Sequence, residues 1–186
     1  MLLALGGSSE ALAQVQLTLP VVHQAIVAQL PAVVTVPITT PTPAIQTVPL
    51  GALVDANSVG EPLDAEQSCL ATAVYFESQG EPLEGQLAVA QVVLNRAASG
   101  QYPTSLCAVV KQKAQFSFVR AGRFPRVDTG CDGWRKAQAI ARIATKKLVS
   151  TVPTSVLWYH ANYVAPSWGR RLTKVDRIGA HIFYRA

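Results

Sequence analysis

No lysine or arginine occurs before Arg96 in this chain of 186 residues, and no charged residue of either sign lies between Ala11 and Val54. All 16 basic residues and eight of the 11 acids fall in residues 64–186, which therefore carry +8, whereas residues 1–63 carry −3. The uncharged stretch does not read as a membrane span. Pro20, Pro31, Pro37, Pro41, Pro43 and Pro49 interrupt it, and no unbroken apolar run reaches the roughly 20 residues that a spanning helix needs. Cysteine is scarce: Cys69, Cys107 and Cys131 show neither CxxC spacing nor clustering with histidine, which argues against a zinc site. There is no GxSxG nucleophile turn, no glycine-rich phosphate loop and no internal repeat. Basic residues are not interleaved with aromatics in the manner of single-strand nucleic-acid binders. A basic domain without those features suits another polyanion, of which an anionic membrane surface and a carboxylate-rich cell wall are candidates.

The opening "MLLALGGSSEALAQ" is apolar and reaches Ala11-Leu12-Ala13 before Gln14, a small-x-small pattern. Residues 1–13 read as a truncated secretory signal peptide, lacking its basic start. Residues 14–63, with "TVPITTPTPAIQTVP", read as an apolar Pro/Thr-rich linker, poorly ordered for want of a face to bury. Residues 64–186 are left as one domain large enough for a core.

Asp64 and Gln67 have the spacing of a capping box, so a helix is expected from Ala65. Leu70, Ala73, Val74 and Glu77 then fall on one face at i, i+3, i+4 and i+7. A carboxylate that ends an apolar stripe at a helix C-terminus opposes the helix dipole and is partly desolvated, which raises its pKa. Gly80 stops this helix, and Pro82 begins "PLEGQLAVAQVVLNRAAS", an apolar helix that packs back on the first. Glu81 and Glu84, at the turn and in the first turn, have structural explanations; Glu77 has none. Thr104 is expected to cap a short helix through "SLCAVVKQK", and Asp132 a longer one, "GWRKAQAIARIATKKLV", with a stripe running to Leu148. "TSVLWYH" and "RIGAHIFYR" read as two strands separated by a loop. The class is mainly α with a small antiparallel β-sheet.

Tyr75, Gln115, Phe116, Tyr159, Asn162 and Trp168 supply aromatic and amide side chains of the kind that line sugar-binding grooves. His160 and His181 read as structural or substrate-contacting residues rather than metal ligands, and no metal or other cofactor is expected. On the residues alone, cleavage of a glycosidic bond is the favoured chemistry.

"CLATAVYFESQGEPLEGQLAVAQVVLNR" resembles the signature block of the SleB-type cell wall hydrolases, the spore cortex-lytic family, with Tyr-x-Glu-Ala-x-Gly-Glu, Glu-Gly-Gln-x-Ala-Val-Ala and Val-x-Leu-Asn-Arg. "QFSF", "YHANYVAPSWGRR" and "RIGAHIFYR" resemble its remaining blocks in order, from about Asp64 to Arg185. Ser78 replaces the commoner alanine, and Phe76 the glycine of spore members. The resemblance implies a lysozyme-like fold and cleavage of the N-acetylmuramic acid to N-acetylglucosamine bond of peptidoglycan glycan strands. It puts the acid on Glu77 and matches Gln115, Phe116, Ser117, Tyr159, His160 and Asn162 to groove-lining blocks. The expected agent is an exported, periplasmic or wall-associated monomer acting as a lytic transglycosylase. The alternatives are a two-carboxylate muramidase and a non-catalytic wall-binding module. A metal-dependent amidase would need ligand-spaced histidines and acids that are absent.

In an antiparallel helix pair the end of the second helix returns beside the start of the first. This favours a Cys69 to Cys107 disulfide, with Cys131 free, in an oxidising compartment.

Overall fold

The computed structural model describes residues 48–186, so the proposed signal segment and most of the proposed linker lie outside the described residues. Five helices and one small sheet follow in order: α1 Leu50–Asn57, α2 Ala65–Ser78, α3 Leu83–Ala98, α4 Leu106–Val110, α5 Asp132–Thr145, β1 Trp158–Ala161, β2 Thr173–Ile178 and β3 His181–Arg185. A 3-10 turn, Ser167–Arg170, separates β1 from β2.

α2 begins where the capping box requires. Asp64 accepts from the Gln67 amide at 2.7 Å, and the Gln67 side chain accepts from the Asp64 amide at 3.4 Å. It ends before Gly80, whose φ of +86° is a left-handed conformation that glycine adopts without a Cβ clash. Pro82 is the N-cap of α3.

α3 is the axis of the domain. Leu87, Ala90 and Val93 join Leu70, Ala73 and Val74 of α2 and Ala137, Ile140, Ala141 and Ile143 of α5 in one core. Ala88, Val89 and Val92 pack on Phe183 of β3 and on Val152 and Val156 in a second. A helix covered on both sides is apolar nearly all round, which explains "LAVAQVV". Alanines at the helix contacts allow close approach.

The polar residues of α3 steer the chain that follows α5. The Gln91 amide donates to the Val149 carbonyl, and its oxygen accepts from the amides of Thr151 and Val152. Asn95 donates to the carbonyls of Pro153 and Val156, each at 3.0 Å, and Arg96 Nε to that of Leu157 at 2.8 Å. These side chains satisfy irregular backbone that has no ladder of its own. The Leu-Asn-Arg sequence is thus a clamp that aims β1.

β3 is the central strand, in the order β1-β3-β2, and both pairings are antiparallel. Opposite Tyr159 stands Phe183, and opposite Ala161 stands His181.

Several boundaries differ from the sequence expectations. Residues 50–57, placed in the linker by composition, form α1 and bury Val54. Arg142 explains its attachment, since the buried guanidinium donates to the carbonyls of Asn57 and Glu61 at 3.0 Å each. Ser105, not Thr104, caps α4 by accepting from the Ala108 amide. Cys131, not Asp132, is the N-cap of α5. That helix stops at Thr145, and Lys147 has a φ of +52°, which turns Leu148 outward to 47% exposure. "RIGAHIFYR" is two strands rather than one: Gly179, at φ +59°, leads a two-residue turn, and the end of the expected loop becomes β2.

Candidate active site

A groove of about 580 Å³ opens between the helices and the sheet. Phe76 and Glu77 enter it from the last turn of α2, and Arg96 from the last turn of α3, followed by Tyr102. Ala114, Gln115 and Ser117 form one wall; Trp158, Tyr159, His160 and Ala161 of β1 form another, extended by Tyr163 and Trp168 and closed by His181 of β3. Among the described residues Glu77 is the one carboxylate in this lining.

Burial pushes the Glu77 carboxyl above its ordinary value, while the Tyr159 hydroxyl and the Arg96 guanidinium pull it back. Tyr159 donates to Glu77 Oε2 at 3.3 Å. The phenol is itself held well above its ordinary value, first by burial and then by the Glu77 charge, so it stays a donor. Arg96 is 5% exposed, with its guanidinium carbon 5.2 Å from the Tyr102 ring centre and 5.9 Å from that of Tyr159. A cation fixed by a carbonyl and two rings supplies positive potential without reorganising. The acid therefore stands where its neutral form is favoured by desolvation and its charged form is supported by one donor and one cation.

His160 is fully engaged. Its Nδ1 lies 2.9 Å from the Ala161 carbonyl, which can only accept, so Nδ1 carries the proton; Nε2 then accepts from the Tyr184 hydroxyl at 2.9 Å. The ring stacks on Tyr184 and meets Trp168 edge-on. Both ring nitrogens are thus engaged within an aromatic wall. His181 is 6% exposed, and burial pushes its imidazole below the ordinary value, opposed by Glu81. Its Nδ1 is buried without a hydrogen-bond partner among the described residues and lies 3.9 Å from Glu81 Oε2, beyond bonding reach. Glu81 Oε2 already accepts from the Ala180 amide at 2.8 Å, which ties the β2-β3 turn to the start of α3.

The groove gathers Glu77, Gln115, Ser117, Tyr159, His160 and Trp168 of the residues that the sequence singled out. It does not gather three others. Tyr75, two residues before Glu77 and so on the far side of α2, takes a bond from the Cys131 thiol at 3.6 Å in a separate hollow with Gln79 and Gly133. Phe116 is 3% exposed and belongs to the core beneath Gln115 and Ser117. Asn162 is exposed, and its backbone amide pairs with the Ala180 carbonyl. Arg96, Tyr102 and Trp158 were not foreseen as lining. Arg96 is the arginine of the Leu-Asn-Arg block and was visible as a motif without a role.

Cys69 and Cys107 are joined, with Cα atoms 5.1 Å apart, and Cys131 is free. Among the described residues no group of three histidines, cysteines or acids is arranged to hold a metal ion, and no helix is long and apolar enough to cross a membrane.

Residues 80–184 match the Cell Wall Hydrolase family, a match that begins just after Glu77. The spore cortex-lytic enzyme of Bacillus subtilis is 34% identical over 135 residues, covering 70% of this chain and 41% of that protein. The spore cortex-lytic enzyme of Oceanobacillus iheyensis is 30% identical over 117 residues, or 61% and 39% of the two chains. The chain thus spans about two fifths of the length of the curated relatives it matches. Among solved structures, the catalytic domain of the germination-specific lytic transglycosylase SleB from Bacillus anthracis superposes with a TM-score of 0.55 at 29% identity, over 68% of this chain and 100% of that one. The catalytic domain of the Bacillus cereus SleB protein gives 0.53 at 30% identity, over 69% and 96%.

Proposed function

The chain belongs to the Cell Wall Hydrolase family, and from that premise we propose that it cleaves the N-acetylmuramic acid to N-acetylglucosamine bond of peptidoglycan as a lytic transglycosylase, with Glu77 as its single acid-base group. The observation that carries this reading is that Glu77 is the lone carboxylate lining the groove among the described residues. Hydrolytic glycosidases use two carboxylates, about 5–5.5 Å apart for retention or about 6.5–9.5 Å apart for inversion. Glu81, the nearest candidate in sequence for a second, lines a different hollow and is bound to the Ala180 amide.

With one acid, the reaction closes on itself. Protonated Glu77 gives its proton to the glycosidic oxygen, and the bond from that oxygen to the anomeric carbon of muramic acid breaks, its electron pair leaving with the oxygen. The Glu77 carboxylate, now supported by Tyr159 and Arg96, takes the proton of the muramic acid 6-hydroxyl. That oxygen bonds to its own anomeric carbon, which yields a 1,6-anhydro end and restores protonated Glu77. No water is consumed and no oxidation state changes. The internal hydroxyl replaces the second carboxylate through its high effective concentration, while Trp158, His160 and Trp168 line the groove that would hold the sugars.

Action on peptidoglycan would put the protein at the cell wall, outside the cytoplasm, and the Cys69 to Cys107 pairing supports that reading. The test is incubation of the purified protein with peptidoglycan sacculi. Loss of turbidity with release of muropeptides is expected; binding to the sacculi without release would make the domain a wall-binding module instead.

A further inference from the structure

Beside the glycan groove lies a second hollow, of about 380 Å³, lined by Phe118, Arg120, Arg123, Phe124 and Pro125. We propose that this hollow binds the carboxylates of the peptide stem carried by muramic acid, so that the protein acts on stem-bearing strands in preference to bare glycan. The proposal deepens the peptidoglycan reading above and rests on it.

The two cavities are consecutive parts of one segment. Ala114, Gln115 and Ser117 line the groove, and the chain from Phe118 onward lines the hollow. The boundary between them is a stack: Phe76, which lines the groove from α2, lies on Phe118 with ring centres 5.0 Å apart and planes at 25°. Phe118 in turn meets Phe124 at 6.1 Å. A substituent leaving the glycan on this side meets an apolar floor, then cations.

Among the described residues those cations have no counter-charge. Residues 107–127 contain Lys111, Lys113, Arg120, Arg123 and Arg126 and no acid, and among the described residues no carboxylate pairs with any of them. Arg120 and Arg123 face each other across a two-residue turn, closed by backbone bonds of 3.1 and 3.0 Å in the two directions. The turn residues Ala121 and Gly122 both have positive φ, at +50° and +71°. The turn brings both arginines to the lining of one hollow, and guanidinium forks match planar carboxylates. Lys111, with Nζ 5.1 Å from the Phe124 ring centre, adds a third positive charge at the rim. Stem peptides are short, extended and rich in carboxylates, and they are attached to the same sugar that the groove would hold. An aromatic floor under paired arginines complements them in shape and in charge.

The experiment compares cleavage of soluble glycan oligomers with intact stems and of the same oligomers stripped of stems by an amidase. The proteins are the wild type, the double variant Arg120→Gln/Arg123→Gln, and the control Arg126→Gln, which removes an equal type of charge outside the hollow. Two exposed charge pairs are together worth about twofold to thirtyfold. The wild type should favour stem-bearing oligomers in kcat/KM by a factor in that range, the double variant should lose the preference with cleavage of bare oligomers unchanged, and Arg126→Gln should keep it. Equal cleavage of both oligomers by the wild type, or an equal fall on both in the double variant, would overturn the inference and leave the glycosidase reading standing. Cleavage of neither would defeat the glycosidase reading itself. Binding is then decided by NMR titration with the free tripeptide L-alanyl-γ-D-glutamyl-L-lysine, where shifts confined to the amides of residues 118–124 uphold the hollow and their absence refutes it.

Discussion

Replacing Glu77 by glutamine should remove activity while raising stability, and the two effects come from one feature of the site. The amide keeps the shape of the side chain and can still accept from the Tyr159 hydroxyl, which lies 3.3 Å from Oε2 in the native protein. It cannot release a proton. General acid-base assistance is worth about 10²–10⁴ in rate, or about 3–5.5 kcal/mol of barrier at 1.36 kcal/mol per tenfold; because the same group would act in both half-reactions, the loss should reach the upper part of that range. The stability effect has a definite sign. Burial raises the folded-state pKa above the ordinary 4.5, so between the two values the folded protein binds more protons than the unfolded chain. Stability therefore falls as pH rises through that window, and the penalty remains above it. Glu77→Gln carries no such penalty: its urea midpoint should match the wild type below pH 4 and exceed it at pH 7. Turbidity loss of sacculi reads the activity, and paired denaturation curves at the two pH values read the stability. Lysis within tenfold of wild type by the folded variant, or a midpoint that drops relative to wild type between pH 4 and pH 7, would refute the reasoning.

Tyr159→Phe removes the donor that supports the Glu77 carboxylate, so the basic limb of the kcat/KM profile should move to higher pH and kcat should fall by about tenfold, the lower end of what a bond to a charged group contributes; an unmoved limb would detach Tyr159 from the acid. The disulfide closes a separation of 38 residues, for which loop-closure entropy gives about 4 kcal/mol. Reduction should therefore lower Tm by about 10–15 °C, and non-reducing peptide mapping should recover the Cys69–Cys107 pair with Cys131 as a thiol. Gly179→Ala places a Cβ in collision with Glu81 Oε2 and 2.9 Å from Pro82 Cδ, at a φ of +59°. It should cost about 1–3 kcal/mol, measurable as a lower urea midpoint.

The helices that carry the site were legible where side chains state the rule locally. Asp64 and Gln67 announce the cap of α2, and the stripe from Leu70 to Glu77 shows an acid out of place at the edge of a core. β2 was not legible, because "TKVDRI" has exposed, charged alternation and owes its pairing to the Gly179 turn and to β3. α1 was hidden for the opposite reason. Its eight residues have little helical signal of their own, and they are held by Arg142, 85 positions from the carbonyl of Asn57 that it binds. The same long-range logic governs the groove: Arg96 reaches it because its guanidinium is fixed by the Leu157 carbonyl, a contact that no local pattern encodes. Phe116 was misplaced because alternation within "QFSF" sends one aromatic into the core while its neighbours face out.

The central claim is that one carboxylate and an internal hydroxyl perform the cleavage, and the measurement that tests it most directly is mass spectrometry of the products made in water labelled with oxygen-18. Sacculi digested by the wild-type protein should yield muropeptides ending in 1,6-anhydromuramic acid, lighter by one water than the hydrolysis product and free of label at the anomeric carbon. Reducing muramic acid ends carrying oxygen-18 as the main primary product would show that water is the nucleophile and contradict the single-acid account.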